Sequence, residues 1–277
     1  MYHQPAHVLT QIAKGLALVL QLIRAIGIVA FVVPYATSVR RDAIIQRWCI
    51  KVLNILNLRV RTRGYLPIPT WAPAMFVANH ISWLDILLLT AIHPMYFVAK
   101  SEVRAWPLIG WIAAQAGTIF VDRERGKSLS HVTQSLTQSL DKRKCVAMFP
   151  EATTTDGSTL KPFHTSLFQA AVDSQAPVWP VAIKYCHFDG TLDRTPAFLG
   201  NQTLVQSISS IVSQREMFVE LHFCKPISSK DQSRWELARG AEHAIASRLQ
   251  LTPTCIPPYK VRRRPPSRSS LNPTSVA

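Results

Sequence analysis

The chain has 277 residues, enough for one sizeable α/β domain with an appendage, and 48% of them are hydrophobic against 17% charged. Its net charge of +15 sits on the flanks: residues 1–63 carry +8 and residues 253–277 carry +5, leaving only +2 between them. A near-neutral centre argues against a nucleic-acid-binding domain, and basic flanks beside an apolar N-terminus fit an anionic membrane surface instead.

In chain order, Leu16 to Pro34 is almost wholly apolar, broken by Gln21 and Arg24, and has the ~20-residue length of a bilayer-crossing helix. Arg24 is costly in a spanning helix, so spanning and tilted, re-entrant or interfacial helices all fit. No small-residue cleavage site succeeds the run, which argues against a signal peptide. Arg40, Arg41, Arg47 and Lys51 come next and place the domain beyond them on the cytoplasmic side. Residues 41–57 are predicted to form an amphipathic helix, with Ile44, Ile45, Trp48, Val52 and Ile55 at helical spacing.

Residues 58–63 alternate as LRVRTR, the pattern of a half-buried strand. Further strands are predicted at 74–78, 96–100, 118–122, 145–149, 178–185 and 217–223. Helices are predicted at 82–92, 107–116, 128–141, 166–174 and 231–249. This alternation predicts an α/β fold: a largely parallel or mixed central sheet flanked by helices, behind an N-terminal membrane-associated helical segment. Pro180 lies inside a predicted strand and cannot donate to a ladder, which implies an edge or a bulge. The organisation expected is N-terminal helices over 1–57, an α/β domain over 58–252 and a disordered basic tail rich in Pro, Ser and Arg over 253–277. Cys49, Cys145, Cys186, Cys224 and Cys255 are widely spaced without a CxxC, which argues against a disulfide framework or a zinc site.

The stretch Asn79-His80-Ile81-Ser82-Trp83-Leu84-Asp85 comes directly after a predicted strand and opens a helix. Functional groups of α/β sheets gather at the carboxyl ends of strands, where His80 falls. Ser82 and Asp85 have the spacing of a capping box, so Asp85 belongs in the first helical turn, within reach of the His80 ring. A carboxylate on one imidazole nitrogen leaves the other free to take a proton. By spacing alone, a plain helix cap is the favoured explanation of the stretch. Two more predicted strands end in polar residues: Gly117–Arg123, and Cys145–Phe149 running into Pro150 and Glu151. A polar loop over 152–158 comes next, with Lys161 and His164 beyond it.

Four blocks in order, NHxxxxD at Asn79–Asp85, GxxFVDR at Gly117–Arg123, FPExTT at Phe149–Thr154 and VxPVAI at Val178–Ile183, resemble the glycerolipid acyltransferases typified by bacterial 1-acyl-sn-glycerol-3-phosphate acyltransferase. The segments Phe97–Lys100 and Trp106–Gly110 fit the same pattern, and the resemblance covers about residues 75–185. It implies that His80 is a general base supported by Asp85, and that Arg123, with help from Glu151 and the loop around Thr153, binds the acceptor's phosphate, Lys161 being a weaker ligand. It implies transfer of an acyl group from acyl-CoA or acyl carrier protein to lysophosphatidic acid at a membrane, with no metal or organic cofactor and no nucleic acid as partner. Acylation of another lysolipid, such as lyso-ornithine lipid, uses the same machinery, and a non-catalytic lipid-binding role is the alternative outside enzymes. Lys100 is a weaker phosphate ligand candidate, and His164 reads as a loop residue. One position departs from the pattern: the family's glycine in the third block is Ala152. If that glycine serves a positive φ, alanine strains the site; if it serves only small size, nothing is lost.

Overall fold

The computed structural model describes residues 5–66, 73–121 and 126–252. Two helices open the chain, α1 (Pro5–Phe31) and α2 (Ser38–Ile55). The remaining elements are β1 (Leu58–Gly64), β2 (Ala74–Ala78), α3 (Leu84–Ile92), β3 (Tyr96–Lys100), α4 (Ser101–Arg104), α5 (Ile109–Gln115), β4 (Ile119–Val121), α6 (Gly126–Asp141), β5 (Cys145–Met148), α7 (Gln169–Asp173), β6 (Val178–Cys186), α8 (Leu204–Val212), β7 (Met217–Phe223) and α9 (Arg234–Leu249). The predicted strands and helices are present with ends moved by up to three residues, except that α1 begins well before the apolar run from Leu16 to Pro34. Helices α4 and α8 were not anticipated. The expected basic tail over 253–277, with Cys255, lies outside the described residues.

These strands form one seven-stranded sheet in the order β1-β7-β6-β2-β5-β3-β4. The five strands from β6 to β4 run parallel to one another, and β7 and β1 run the opposite way. The sheet is therefore mixed. Strand β2 reads Ala-Met-Phe-Val-Ala and is buried along its whole length, as a central strand covered on both faces should be. One face packs Phe76, Leu84, Leu88 and Trp179 with α2 and α3; the other packs Met75, Val77, Leu136 and Phe168 with α6, α7 and α9.

Pro180 sits in an interior strand, so of the two expected explanations it is the bulge that applies. Val178 pairs with Ile227 and Val181 pairs with Phe223, so two residues of β6 face three of the returning chain. Asn79 extends the β2–β6 pairing past the end of the strand: its side-chain amide donates to the Ile183 carbonyl at 2.9 Å and accepts from the Ile183 N–H at 2.8 Å. That pair sets the position from which the next residue, His80, leaves the sheet.

Helix α1 docks side-on against the rest of the chain. Lys14 donates from Nζ to the Gln214 and Arg215 carbonyls at 2.7 and 3.2 Å, just beyond the C-terminus of α8, where a cation meets the negative end of the helix dipole. Trp48 of α2 donates to the Gln21 carbonyl at 3.0 Å. The opposite face exposes Leu9, Ile12, Leu16, Val19, Leu20 and Ile23, a stripe at helical spacing. The span Val8–Tyr35 is long and apolar enough to cross a membrane. Side-on docking through Lys14 and Gln21 aligns that length with the body of the protein.

Candidate active site

His80 lies two residues past the end of β2, and Asp85 lies in the first turn of α3. The side chains meet: His80 Nδ1 and Asp85 Oδ2 are 2.9 Å apart. The same oxygen accepts the N–H groups of Ile81 at 2.7 Å and Ser82 at 2.9 Å, and Oδ1 accepts the Tyr185 hydroxyl at 2.8 Å. A carboxylate that collects these donors is an acceptor toward His80 as well, so Nδ1 carries the imidazole proton and Nε2 presents its lone pair. Half of the expected capping box forms. Asp85 reaches back to the Ser82 N–H, whereas the Ser82 hydroxyl accepts from Leu84 N at 3.3 Å rather than from Asp85 N.

The ring is held on a second side. Phe149, at the end of β5, stacks on it with centroids 3.9 Å apart and planes 8° from parallel. Asp85 is wholly buried, while 20% of the His80 side chain stays accessible. An imidazole clamped on one face and at Nδ1, with part of its surface open, suits proton abstraction at Nε2.

Glu151 occupies a different position from the one expected of a substrate ligand. Its Oε1 accepts the His80 N–H and its Oε2 accepts the Lys161 N–H, each at 2.8 Å, and the residue is 3% exposed. Both carboxylate oxygens are therefore spent on backbone, tying the His80 turn to the loop after β5. The Thr155 N–H donates to the His80 carbonyl at 2.8 Å and completes this tie. Burial pushes the Glu151 carboxyl up to about 7, although both N–H bonds and the nearby Lys161 favour the charged form.

Thr153 lies half-buried in the same loop, and the Lys161 side chain is exposed beyond it. His164 is exposed, and its N–H donates to the Pro150 carbonyl at 3.0 Å. Lys100 is exposed at the end of β3. Arg123, expected to hold an acceptor phosphate, lies outside the described residues; β4 ends two residues before it.

The family model named Acyltransferase matches residues 59–184, which contain His80, Asp85, Phe149 and Glu151. The lyso-ornithine lipid O-acyltransferase of Pseudomonas aeruginosa is 38% identical over 217 residues, covering 78% of this chain and 81% of that protein. The chain belongs to the acyltransferase family. The 1-acyl-sn-glycerol-3-phosphate acyltransferase of Neisseria gonorrhoeae is 32% identical over 172 residues, 62% of this chain and 67% of that protein. The crystal structure of the 1-acyl-sn-glycerophosphate acyltransferase from Thermotoga maritima shares the fold, with a TM-score of 0.63, 20% identity and coverage of 88% of this chain and 95% of that one.

Two side chains of this acyltransferase escaped the sequence reading. Tyr185 is buried in β6 and fixes Asp85 from the side opposite His80; the end of an apolar strand gave no signal of it. Phe149 stood in a recognised block, but only the sheet order, which puts β5 beside β2, brings it over the His80 ring. The structure also decides between the two meanings of Ala152. Its φ is +62°, left-handed backbone that a Cβ disfavours by about 1–2 kcal/mol. Ala152→Gly is expected to stabilise the acyltransferase by about 1 kcal/mol, raising Tm by roughly 2–4 °C in thermal unfolding. An unchanged or lowered Tm contradicts strain at this residue.

Stability should also carry the mark of Glu151. A carboxyl raised from 4.5 to about 7 by folding binds its proton more tightly in the native chain than in the unfolded one. Its contribution to stability therefore falls as pH rises through that window. Between acid and neutral pH, the Tm of Glu151→Gln should fall less, or rise more, with increasing pH than that of the native chain. Equal slopes would mean that this group does not titrate there.

Proposed function

We propose that the chain is a membrane-bound lysolipid O-acyltransferase in which His80 acts as general base and Asp85 positions it. The observation that carries this reading is the Nδ1–Asp85 bond of 2.9 Å, which turns Nε2 toward the proton of an acceptor hydroxyl. As Nε2 takes that proton, the hydroxyl oxygen attacks the carbonyl carbon of an acyl thioester. Collapse of the tetrahedral adduct breaks the C–S bond, the ester forms, and the departing thiolate recovers a proton from His80. The free thiol is that of CoA or of acyl carrier protein. The buried Asp85 carboxylate stabilises the imidazolium between these steps. No metal or organic cofactor enters the scheme.

The acceptor favoured is lyso-ornithine lipid, because the relative with that name matches at 38% identity over four-fifths of its length. Lysophosphatidic acid, acylated at its sn-2 hydroxyl to phosphatidic acid, is the second reading. It is supported by Arg123 in the block Gly117–Arg123, since a guanidinium is well suited to a phosphate, and by the relative from Neisseria. In either case Thr153 and Lys161 border the loop where the headgroup would lie.

The reaction belongs at the cytoplasmic face of the inner (plasma) membrane. Helix α1 would rest in the lipid surface through its exposed stripe, in keeping with its side-on docking, and Arg24 would remain at headgroup level. Acceptor and product are both lipids, so an enzyme lying on the bilayer meets them without extracting them far.

Acyl transfer by the full chain in mixed micelles tests the reading with both acceptors and both donors. His80→Ala should lower turnover on the order of 10²-fold or more. Lyso-ornithine lipid should be the faster acceptor, and its acylation should tolerate Arg123→Ala. Faster lysophosphatidic acid acylation that collapses in Arg123→Ala would establish the second acceptor. Unchanged turnover in His80→Ala would overturn the mechanism for both.

A further inference from the structure

The segment Trp106-Pro107-Leu108-Ile109-Gly110 has no part in the chemistry above, yet its conformation is unusual. The Ile109 N–H donates to the Pro107 carbonyl across Leu108 at 2.6 Å, and Leu108 has φ +61° and ψ −49°. This is a γ-turn of the rare, strained hand, centred on a residue that is not glycine. The elbow around it is tight: a Cβ at Gly110 would collide with the Arg104 carbonyl. Its surface is apolar. Trp106 is 37% exposed, Leu108 48% and Trp111 40%. A leucine held in strained backbone and left in water gains nothing from folding, so its burial has to come from an occupant.

The place of the elbow in the fold says which occupant. It comes after β3 and the single turn of α4; β3 is parallel to β5, which is parallel to β2, so the elbow stands at the end of the sheet where His80 stands. Helix α1 meets the same end, because Lys14 bonds Gln214 and Arg215 just before β7, and β7 is antiparallel to β6. α5 packs directly on α1, so the elbow continues the apolar surface of α1. Lys100 and Arg104 are both exposed beside it, against Glu102, the acid among the described residues of β3, α4 and the elbow, which is bonded by the Ser101 hydroxyl at 3.2 Å. Two indoles flanking an aliphatic tip, with cations beside them, match the boundary between headgroups and acyl chains of an anionic bilayer.

We infer that the Trp106–Trp111 elbow is a second membrane contact, inserting Leu108 among the lipids while α1 lies beside it. Two contacts at one end of the sheet fix the tilt of the protein, which a single helix leaves free to roll, and hold the His80 side toward the lipid surface. This inference rests on the reading of the chain as acting at a membrane.

The test uses the full chain with Cys255→Ser and an environment-sensitive fluorophore on Leu108→Cys; the four remaining cysteines are buried. A matching label on Asp141→Cys, exposed at the opposite end of the sheet, serves as reference. Vesicles of phosphatidylethanolamine and phosphatidylglycerol should shift the Leu108 label to the blue and raise its emission severalfold, leaving the Asp141 label unchanged. Leu108→Asp should weaken vesicle binding by about 10-fold or more, because an apolar insertion becomes a charged one. Its acyl transfer to an acceptor in detergent should stay unchanged. A chain that floats with vesicles while the Leu108 label stays aqueous overturns the elbow and leaves α1 as the anchor. A chain that does not float at all overturns both. A label shift that depends on protein concentration without vesicles assigns the elbow to a second copy of the chain and overturns the membrane contact.

Discussion

The arrangement depends on how a carboxylate with no exposed surface is kept in the protein interior. Asp85 is withdrawn from water completely, and a charge in that position is destabilising unless donors replace its hydration. Its donors come from two parts of the fold: the turn after β2, with two backbone N–H groups and the His80 imidazole, and Tyr185 in β6. The turn can supply two backbone N–H groups only because Asn79 pins β2 to β6 at Ile183, two residues before Tyr185. The sheet register and the geometry of the dyad are thus one constraint. Glu151 extends it to the loop after β5 by taking one N–H from the His80 turn and one from Lys161.

Much of this could be read from the sequence, and the reasons differ by element. Strands β2, β3 and β7 were legible to the residue because short apolar or alternating runs sit between polar boundaries. Helix α8 was overlooked because its serines mask the apolar period, although Thr203 and Gln206 form the capping box that its sequence spells. The approach of His80 and Asp85 was legible from a five-residue separation across a helix start. Tyr185 and Phe149 were not, since their contacts depend on strand order, which no local pattern encodes. Glu151 shows the other limit: its bonds to the His80 and Lys161 N–H groups join two separate loops, which no local pattern encodes. Ala152 could be read only as a fork, and its left-handed φ chose the branch.

The apolar features at the His80 end of the sheet connect the chemistry to its medium. Helix α1, the Trp106–Trp111 elbow and the exposed Phe188 after β6 all fall there, whereas the C-termini of α6 and α7, which end in Asp141 and Asp173, lie at the far end. In the proposed function, a lipid acceptor would reach His80 along that surface rather than through water.

The claim at the centre is that Asp85 holds His80 with its proton on Nδ1 and its lone pair at Nε2. Nitrogen-15 NMR of the full chain with labelled histidine, with His80 assigned by its absence in His80→Gln, reads that directly at a pH where the ring is neutral. The account predicts a protonated Nδ1 and a bare Nε2 in the native chain, with the preference lost in Asp85→Ala. A native His80 with its proton on Nε2 would contradict it.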